Sequence, residues 1–261
     1  LTARDEVFKQ YGVYSYLSPG INQEEKERLQ AFNDFIKERF KKMFLPLLRD
    51  EELKIVPDDF FDKFVFCYQA DENPNACCFP HELPDGRIFV AITKGMIDLA
   101  ETEGELMGIV GHEVGHYLHR LMKAYKRNDV PEETLSDVIA IEHMPNAGYH
   151  PSEFESIFEK MDVFYEKLKQ ENPNSKLAKI MGIFDPHLED RSRRTVNRLV
   201  IQKDDHRYHH LSKTPLNKQA LDMTGLRPFN SALDIQRDGV LLPLEEGQTP
   251  TTTGTAIDRL N

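Results

Sequence analysis

The 261-residue sequence predicts an α+β fold that is mostly helical, with a small β-sheet placed ahead of one long helix. Two observations predict it. Apolar residues recur every three or four positions through several long stretches, which is the period of an α-helix. Between residues 64 and 92, three short runs rich in aromatic and β-branched residues alternate with turn signals, as strands do.

The first third of the chain contains one helix and then the sheet. A phenylalanine-rich stripe at helical spacing predicts a helix over residues 22–48 that packs into the core. Strands are expected at residues 64–68, 75–80 and 87–92. The second strand ends at Pro80, and a proline there suits the edge of a sheet. Such an edge strand can pair with an extended peptide.

Helices account for most of the remaining chain. A short helix from Met96 to about Ala100 leads into the long helix, which Thr102 can cap and Glu105 favours at its N-terminal end. Pro131 is well placed in the first turn of the next helix. The helices are expected at residues 102–125, 132–144, 152–170 and 189–201.

The pattern divides the chain into three segments. Residues 1–55 are expected to form an N-terminal helical segment that packs on the central domain. Residues 56–202 form the central domain, which holds the sheet and the long helix. Helical periodicity fades after residue 202, so residues 203–261 are expected to be an irregular or wrapping C-terminal extension.

Composition and charge exclude several classes of partner. Hydrophobic residues make up 39% of the chain and charged residues 30%, as in ordinary globular domains. The formal net charge of −11 argues against nucleic acid or an anionic membrane as the main partner. No apolar run approaches the ~20 residues that span a bilayer, so we expect no transmembrane segment in this chain.

The three cysteines, Cys67, Cys77 and Cys78, make a poor disulfide framework, because their number is odd and two of them are adjacent. We expect them to pack as small buried hydrophobic side chains. A disulfide from Cys67 to Cys77 or Cys78 is the alternative in an exported protein.

One short motif in the long helix carries a specific chemistry. His112 and His116 are four residues apart, so both imidazoles project from one helix face and can bind one Zn²⁺ ion. Glu113 can face a water molecule that the metal activates. A chance match is the alternative, since this motif arises in roughly one in a few tens of chains with this many histidines.

A catalytic zinc site needs three protein ligands and an open position for water. The helix predicted from residue 132 follows the long helix after a tight turn, so the two helices should be antiparallel neighbours. This arrangement makes Glu133 the expected third ligand. Asp137, one turn further on, can hold a ligand imidazole through its other ring nitrogen. Ordinary acidity of a helix N-terminus is the alternative for both carboxylates.

The two motifs together, HExxH at residues 112–116 and ExxxD at 133–137, resemble those of gluzincin metallopeptidases. More closely, the chain resembles a soluble member of the HtpX and CAAX-prenyl-protease family of zinc metalloendopeptidases. Residues 75–80 are similar to the NAxxxP edge strand of that family, and residues 147–151 to its AGYDP turn. The resemblance covers roughly residues 60–200. It implies a zincin-like metallopeptidase domain, one Zn²⁺ per chain and polypeptide substrates, which the edge strand would bind through Asn75, Ala76, Cys77 and Cys78.

The sequence departs from the family in two places. Only residues 117–132 separate the two motifs, a shorter connection than most members have. The family's helix opening His-Pro-Pro-x-x-x-Arg appears here as residues 185–191, with Asp185 in place of the histidine and with Arg191 retained. In the family that histidine helps to stabilise the tetrahedral oxyanion. Here we expect Arg191 to do so, with His187 or Tyr149 as weaker candidates.

These observations predict a zinc-dependent metalloendopeptidase in which Glu113 takes a proton from the metal-activated water and returns it to the leaving amine. The resemblance implies a role in protein quality control. The main alternative is a latent or autoinhibited zinc-binding, chaperone-like protein whose residues after Lys203 occupy the cleft. An inert helical scaffold with a chance motif would bind no metal. Analogy with soluble periplasmic relatives favours an exported location, and a cytoplasmic location stays open.

Overall fold

The computed structural model of the chain describes residues 12–18, 20–48, 56–79, 85–124, 131–171 and 191–226. The described residues belong to one structural unit, Leu1–Pro228, and the second unit, Phe229–Asn261, lies outside them. The strands are β1 (Val13–Tyr14), β2 (Phe64–Gln69), β3 (Ala76–Cys78) and β4 (Ile88–Thr93). The helices are α1 (Gln23–Phe44), α2 (Phe60–Lys63), α3 (Lys94–Leu99), α4 (Glu103–Ala124), α5 (Glu132–His143), α6 (Ser152–Glu171) and α7 (Arg191–Lys203).

The described chain confirms the predicted fold class, mostly helical with a small mixed sheet. The strand order is β1-β2-β4-β3, so β3 is an edge strand. Strand β4 is parallel to β2 and antiparallel to β3, while β1 is antiparallel to β2. The sequence analysis did not predict β1, because two residues, Val13 and Tyr14, are too short a run for an alternating pattern to appear.

Helix α1 buries its phenylalanine stripe in the core, as predicted, where the stripe packs against the sheet. The ring of Phe40 lies 5.0 Å from that of Phe64 and 5.4 Å from that of Phe66, centroid to centroid. Asn33, also buried in this contact, accepts a hydrogen bond from the backbone N–H of Phe66. The helix ends at Phe44, before the predicted residue 48, and continues as a 3₁₀ turn, because Pro46 has no N–H to donate to an α-helical bond.

Helices α4 and α5 are antiparallel and lie very close together. A Cβ atom added at Gly115 of α4 would lie 2.7 Å from the Cα atom of Ser136 on α5. One added at Gly111, a turn earlier, would lie 3.2 Å from the Cβ atom of Ala140, a turn later. The backbone of α5 therefore comes close to α4 at Gly111 and Gly115, where α4 has no side chain.

Replacing Gly115 by alanine is expected to lower the free energy of unfolding, because overpacking costs about 1–3 kcal/mol and exceeds the helix-propensity gain of roughly 1 kcal/mol. The affinity for the Zn²⁺ ion that the sequence predicts should fall too, since Ser136 lies between the expected site residues Glu133 and Asp137 and moves with them. Urea denaturation and zinc titration measure the two effects. Gly111→Ala is the milder comparison, because its closest contact, at 3.0 Å, is the flexible end of Met43. Equal effects of the two substitutions would contradict this account.

The first part of the predicted C-terminal extension lies along the beginning of α4. The backbone N–H of Glu103 donates to the carbonyl of Thr214, and that of Leu216 donates to the carbonyl of Glu101. The guanidinium of Arg28 on α1 donates to the carbonyls of Asp222 and Thr224. Residues 227–261 lie outside the described residues, and the division of the chain into three segments stays a prediction.

Two of the three cysteines are buried as expected, and the third is not. Cys67 and Cys78 are buried, whereas Cys77 is exposed because the pleat of β3 turns its side chain away from the core. All three are free cysteines. Over the described residues, no helix combines the length and the apolar character that a membrane span requires.

Candidate metal centre

Helix α4 begins with a capping box that fixes its start and therefore the position of each residue along it. The Thr102 hydroxyl accepts from the backbone N–H of Glu105, whose carboxylate accepts from the N–H groups of Glu101 and Thr102. Lys160 on α6 donates to the same carboxylate. These contacts lower the pKa of Glu105 even though its burial acts to raise it, so the group is charged when it caps the helix.

His112 and His116 lie on the face of α4 that α5 covers, and both are buried. Their Nε2 atoms are 3.0 Å apart. The carboxylate of Glu133 on α5 approaches both, with one oxygen 3.4 Å from Nε2 of His112 and the other 3.5 Å from Nε2 of His116. The structure thus brings together the three residues that the sequence analysis selected as ligands.

These distances fit a tetrahedral metal site. Zinc bonds of about 2.0–2.1 Å to nitrogen and oxygen place neighbouring ligand atoms about 3.3 Å apart. The 3.0 Å between the two Nε2 atoms and the 3.4 Å from His112 Nε2 to one oxygen of Glu133 lie close to that value, and the other oxygen of Glu133 is 3.5 Å from His116 Nε2. Two imidazoles and one carboxylate also form a ligand set typical of catalytic zinc, which leaves a fourth position for water.

Glu113 occupies a different position in the site. Its ligand atoms lie within 4.8 Å of those of His112 and His116, so by distance alone it joins the group of residues that could hold a metal ion. Its Oε2 atom, however, accepts a 2.7 Å hydrogen bond from the backbone N–H of Cys78 on β3. Glu113 therefore lies between the edge strand and the two imidazoles, whereas Glu133 approaches the imidazoles from α5.

Each imidazole also contacts a carboxylate through its Nδ1 atom. Nδ1 of His112 is 2.7 Å from Oδ1 of Asp137, and Nδ1 of His116 is 2.9 Å from Oε1 of Glu132. A carboxylate accepts the Nδ1 proton and so leaves the Nε2 lone pair for a metal. The sequence analysis expected this contact for Asp137 and missed it for Glu132.

Asp137 is itself fixed by two residues of α7 that the sequence analysis also missed. The guanidinium of Arg193 donates to both carboxylate oxygens of Asp137 at 2.6 Å and to Glu133 at 3.0 Å. The side-chain amide of Asn197 donates to Asp137 at 2.8 Å. Arg193 and Asn197 are one helical turn apart and both are buried. Their spacing was visible in the sequence, but the neighbouring residues gave no reason to prefer Arg193 to the other arginines.

Burial and charge act in opposite directions on the titratable groups of this site. Burial acts to raise the pKa of Asp137, but the hydrogen bonds from His112 and Arg193 outweigh it and lower the pKa to about 2. Burial acts to lower the pKa of His112, but Asp137 and Glu133 raise it to about 9. The pKa of His116 is lowered by burial and by the nearby charge of His112. A metal ion therefore competes with a proton at His112.

The remaining candidate residues from the sequence lie partly outside the described residues. Arg191 is the first residue of α7, but its side chain and all of His187 lie outside the described residues. Asn75 accepts from the backbone N–H of Ala76 through its side chain, and its own N–H donates to Thr93 at the end of β4. Tyr149 is buried, and its hydroxyl donates a hydrogen bond to Glu103. This contact favours a packing role for Tyr149 over a role in stabilising the oxyanion.

Comparison with known proteins covers the part of the chain that carries the HExxH motif. Residues 56–124, which run from just before α2 to the end of α4 and include the HExxH motif, match the model of Peptidase family M48. A protease HtpX homologue from Pyrobaculum calidifontis is 45% identical over 51 residues, which are 20% of this chain and 14% of that relative. The chain thus matches only a small part of the relative's length. Over this segment the predicted resemblance is confirmed: the chain is similar to Peptidase family M48 and to a protease HtpX homologue.

Proposed function

We propose that the protein is a zinc-dependent metalloendopeptidase that hydrolyses peptide bonds with a metal-activated water. One observation carries the proposal: the Nε2 atoms of His112 and His116 converge with the carboxylate of Glu133, and Glu113 lies beside them. The similarity to a peptidase family supports a hydrolase that acts on polypeptides. The roles of the individual residues are our assignment.

The chain's own groups would divide the work as follows. His112, His116 and Glu133 would hold the zinc ion, which when bound supplies a water of lowered pKa and polarises the scissile carbonyl. Glu113 would accept a proton from that water and deliver it to the leaving amine. Asp137 would keep His112 in the tautomer that binds metal.

The edge strand β3 would align the substrate. Asn75 and Phe79 exchange backbone hydrogen bonds with β4, so the backbone groups of Ala76 and Cys78 face the other edge of the strand. The Cys78 N–H reaches Glu113 from that edge. An extended peptide added to β3, along Asn75, Ala76, Cys77 and Cys78, would therefore pass the general base.

Two further parts of the proposal come from the family resemblance. Arg191, or alternatively His187, would stabilise the oxyanion of the tetrahedral intermediate. A role in protein quality control is proposed on the same ground. Neither part enters the test of the metal site that follows.

Removing the metal tests the proposed function. Casein cleavage by the purified protein is expected to stop after chelation and to return when one equivalent of Zn²⁺ per chain is restored, with zinc measured by atomic emission. His116→Ala should bind zinc weakly and cleave nothing. Cleavage that survives complete removal of metal would refute the proposal. One bound zinc without cleavage would favour the latent, chaperone-like alternative.

A further inference from the structure

Glu132 is the residue immediately before the proposed ligand Glu133, in the first turn of α5. Its Oε1 atom is 2.9 Å from Nδ1 of His116, on the side of the ring opposite the Nε2 atom that faces Glu133. The contact has the same form as that between Asp137 and His112. Two adjacent residues of α5 therefore contact opposite nitrogens of one imidazole.

The Glu132 carboxylate has further cationic or hydrogen-bonding neighbours on α4. Its other oxygen is 3.7 Å from Nδ1 of His119, a buried atom for which the described residues supply no hydrogen-bond partner at normal distance. Arg120 places a guanidinium nitrogen 3.9 Å from Oε1 and donates with another to the thiol of Cys78. The surroundings of Glu132 thus attract a carboxylate to the position beside His116.

We propose that Glu132 is a positioning residue for the metal ligand His116. By accepting the Nδ1 proton it holds the neutral imidazole in the tautomer whose Nε2 lone pair faces the metal, and it fixes the orientation of the ring. The inference rests on the proposed function, because it requires a metal ion between His112, His116 and Glu133. The two histidine ligands would then each have a carboxylate partner from α5.

Because Glu132 is exposed, its effect on metal affinity can be measured separately from its effect on the stability of the fold. Its side chain is 44% exposed, whereas that of Asp137 is 1% exposed. An ion pair this accessible contributes little to the free energy of unfolding. Removal of a carboxylate that orients a ligand imidazole, by contrast, weakens metal binding by about 10–100-fold. Metal affinity and the stability of the metal-free protein should therefore respond differently.

The test uses the full chain and three variants: Glu132→Ala, Glu132→Gln and Glu142→Ala. Glu142 is an exposed carboxylate near the other end of α5 and serves as the matched control. The Kd for Zn²⁺ is measured by competition with a chromophoric chelator, and unfolding of the metal-free proteins is measured in urea. Glu132→Ala is expected to raise the Kd about 10–100-fold. Glu132→Gln, which keeps an acceptor oxygen, should recover most of this loss, and Glu142→Ala should match the wild type.

Three results would overturn the inference. In the first, Glu132→Ala binds zinc as tightly as Glu142→Ala. In the second, Glu132→Gln is as weak as Glu132→Ala, which would make the charge, and not the acceptor, responsible. In the third, the metal-free Glu132→Ala protein is destabilised in proportion to its loss of affinity. A wild-type chain that binds no zinc would instead refute the proposed function, and the titration of the wild type reveals that case separately.

Discussion

Replacing Glu113 by glutamine is expected to lower kcat for peptide hydrolysis by about 10²–10⁴-fold, the contribution of a positioned general base. Glutamine has nearly the same shape and keeps an oxygen that can accept from the Cys78 N–H, so the contact with β3 should survive. It cannot take a proton from water at neutral pH. Steady-state kinetics on a casein-derived peptide and the zinc content of the same sample measure the result.

Zinc content separates the two roles that the position of Glu113 allows. If Glu113 is the base, Glu113→Gln keeps one zinc per chain and loses turnover. If it is a metal ligand, as its proximity to His112 and His116 alone would permit, zinc is lost as well. Glu142→Gln, an exposed change on α5, should leave both quantities unchanged. Turnover near the wild-type value in Glu113→Gln would contradict the assignment of the base.

The ligand-bearing elements could be predicted from the sequence because their signals are local. The spacing of His112 and His116 places both residues on one helix face. Only residues 117–132 separate the two motifs, and a connection this short makes α4 and α5 antiparallel neighbours. The phenylalanine stripe of α1 and the runs of β2 and β4 have periodicities that identify buried elements directly.

Apart from Asp137, the residues that contact the ligands and their partners were not predicted, because these contacts depend on distances between elements. Arg193 contacts Asp137 from 56 positions away, and Asn197 contacts it from 60. Nothing in the sequence of α7 indicates which of its arginines faces α5. Glu132 was missed for another reason. The helix dipole already explains a negative charge in the first turn of a helix, so the sequence does not reveal that Glu132 also contacts His116.

Replacing Arg193 by leucine is expected to lower the free energy of unfolding of the metal-free protein by about 3–5 kcal/mol, the cost of breaking a buried ion pair from one side. The guanidinium is 5% exposed and contacts Asp137, which is 1% exposed, through two hydrogen bonds. Leucine leaves that carboxylate with less compensating charge in a buried site. Urea denaturation at neutral pH measures the loss, which is a large fraction of the ~5–15 kcal/mol typical of a domain.

Arg198→Leu provides the matched control for this loss. Arg198 is on the same helix and pairs with Glu155, but its side chain is 53% exposed, so its removal should cost much less than the removal of Arg193. Arg193→Lys should fall between the two, because lysine keeps the charge and loses the planar fork that contacts both oxygens of Asp137. Equal losses in Arg193→Leu and Arg198→Leu would mean that burial does not set the strength of the Arg193 contact. A larger loss at Arg193 would instead make α7 part of the support on which the ligand geometry depends, because Arg193 also donates to the proposed ligand Glu133.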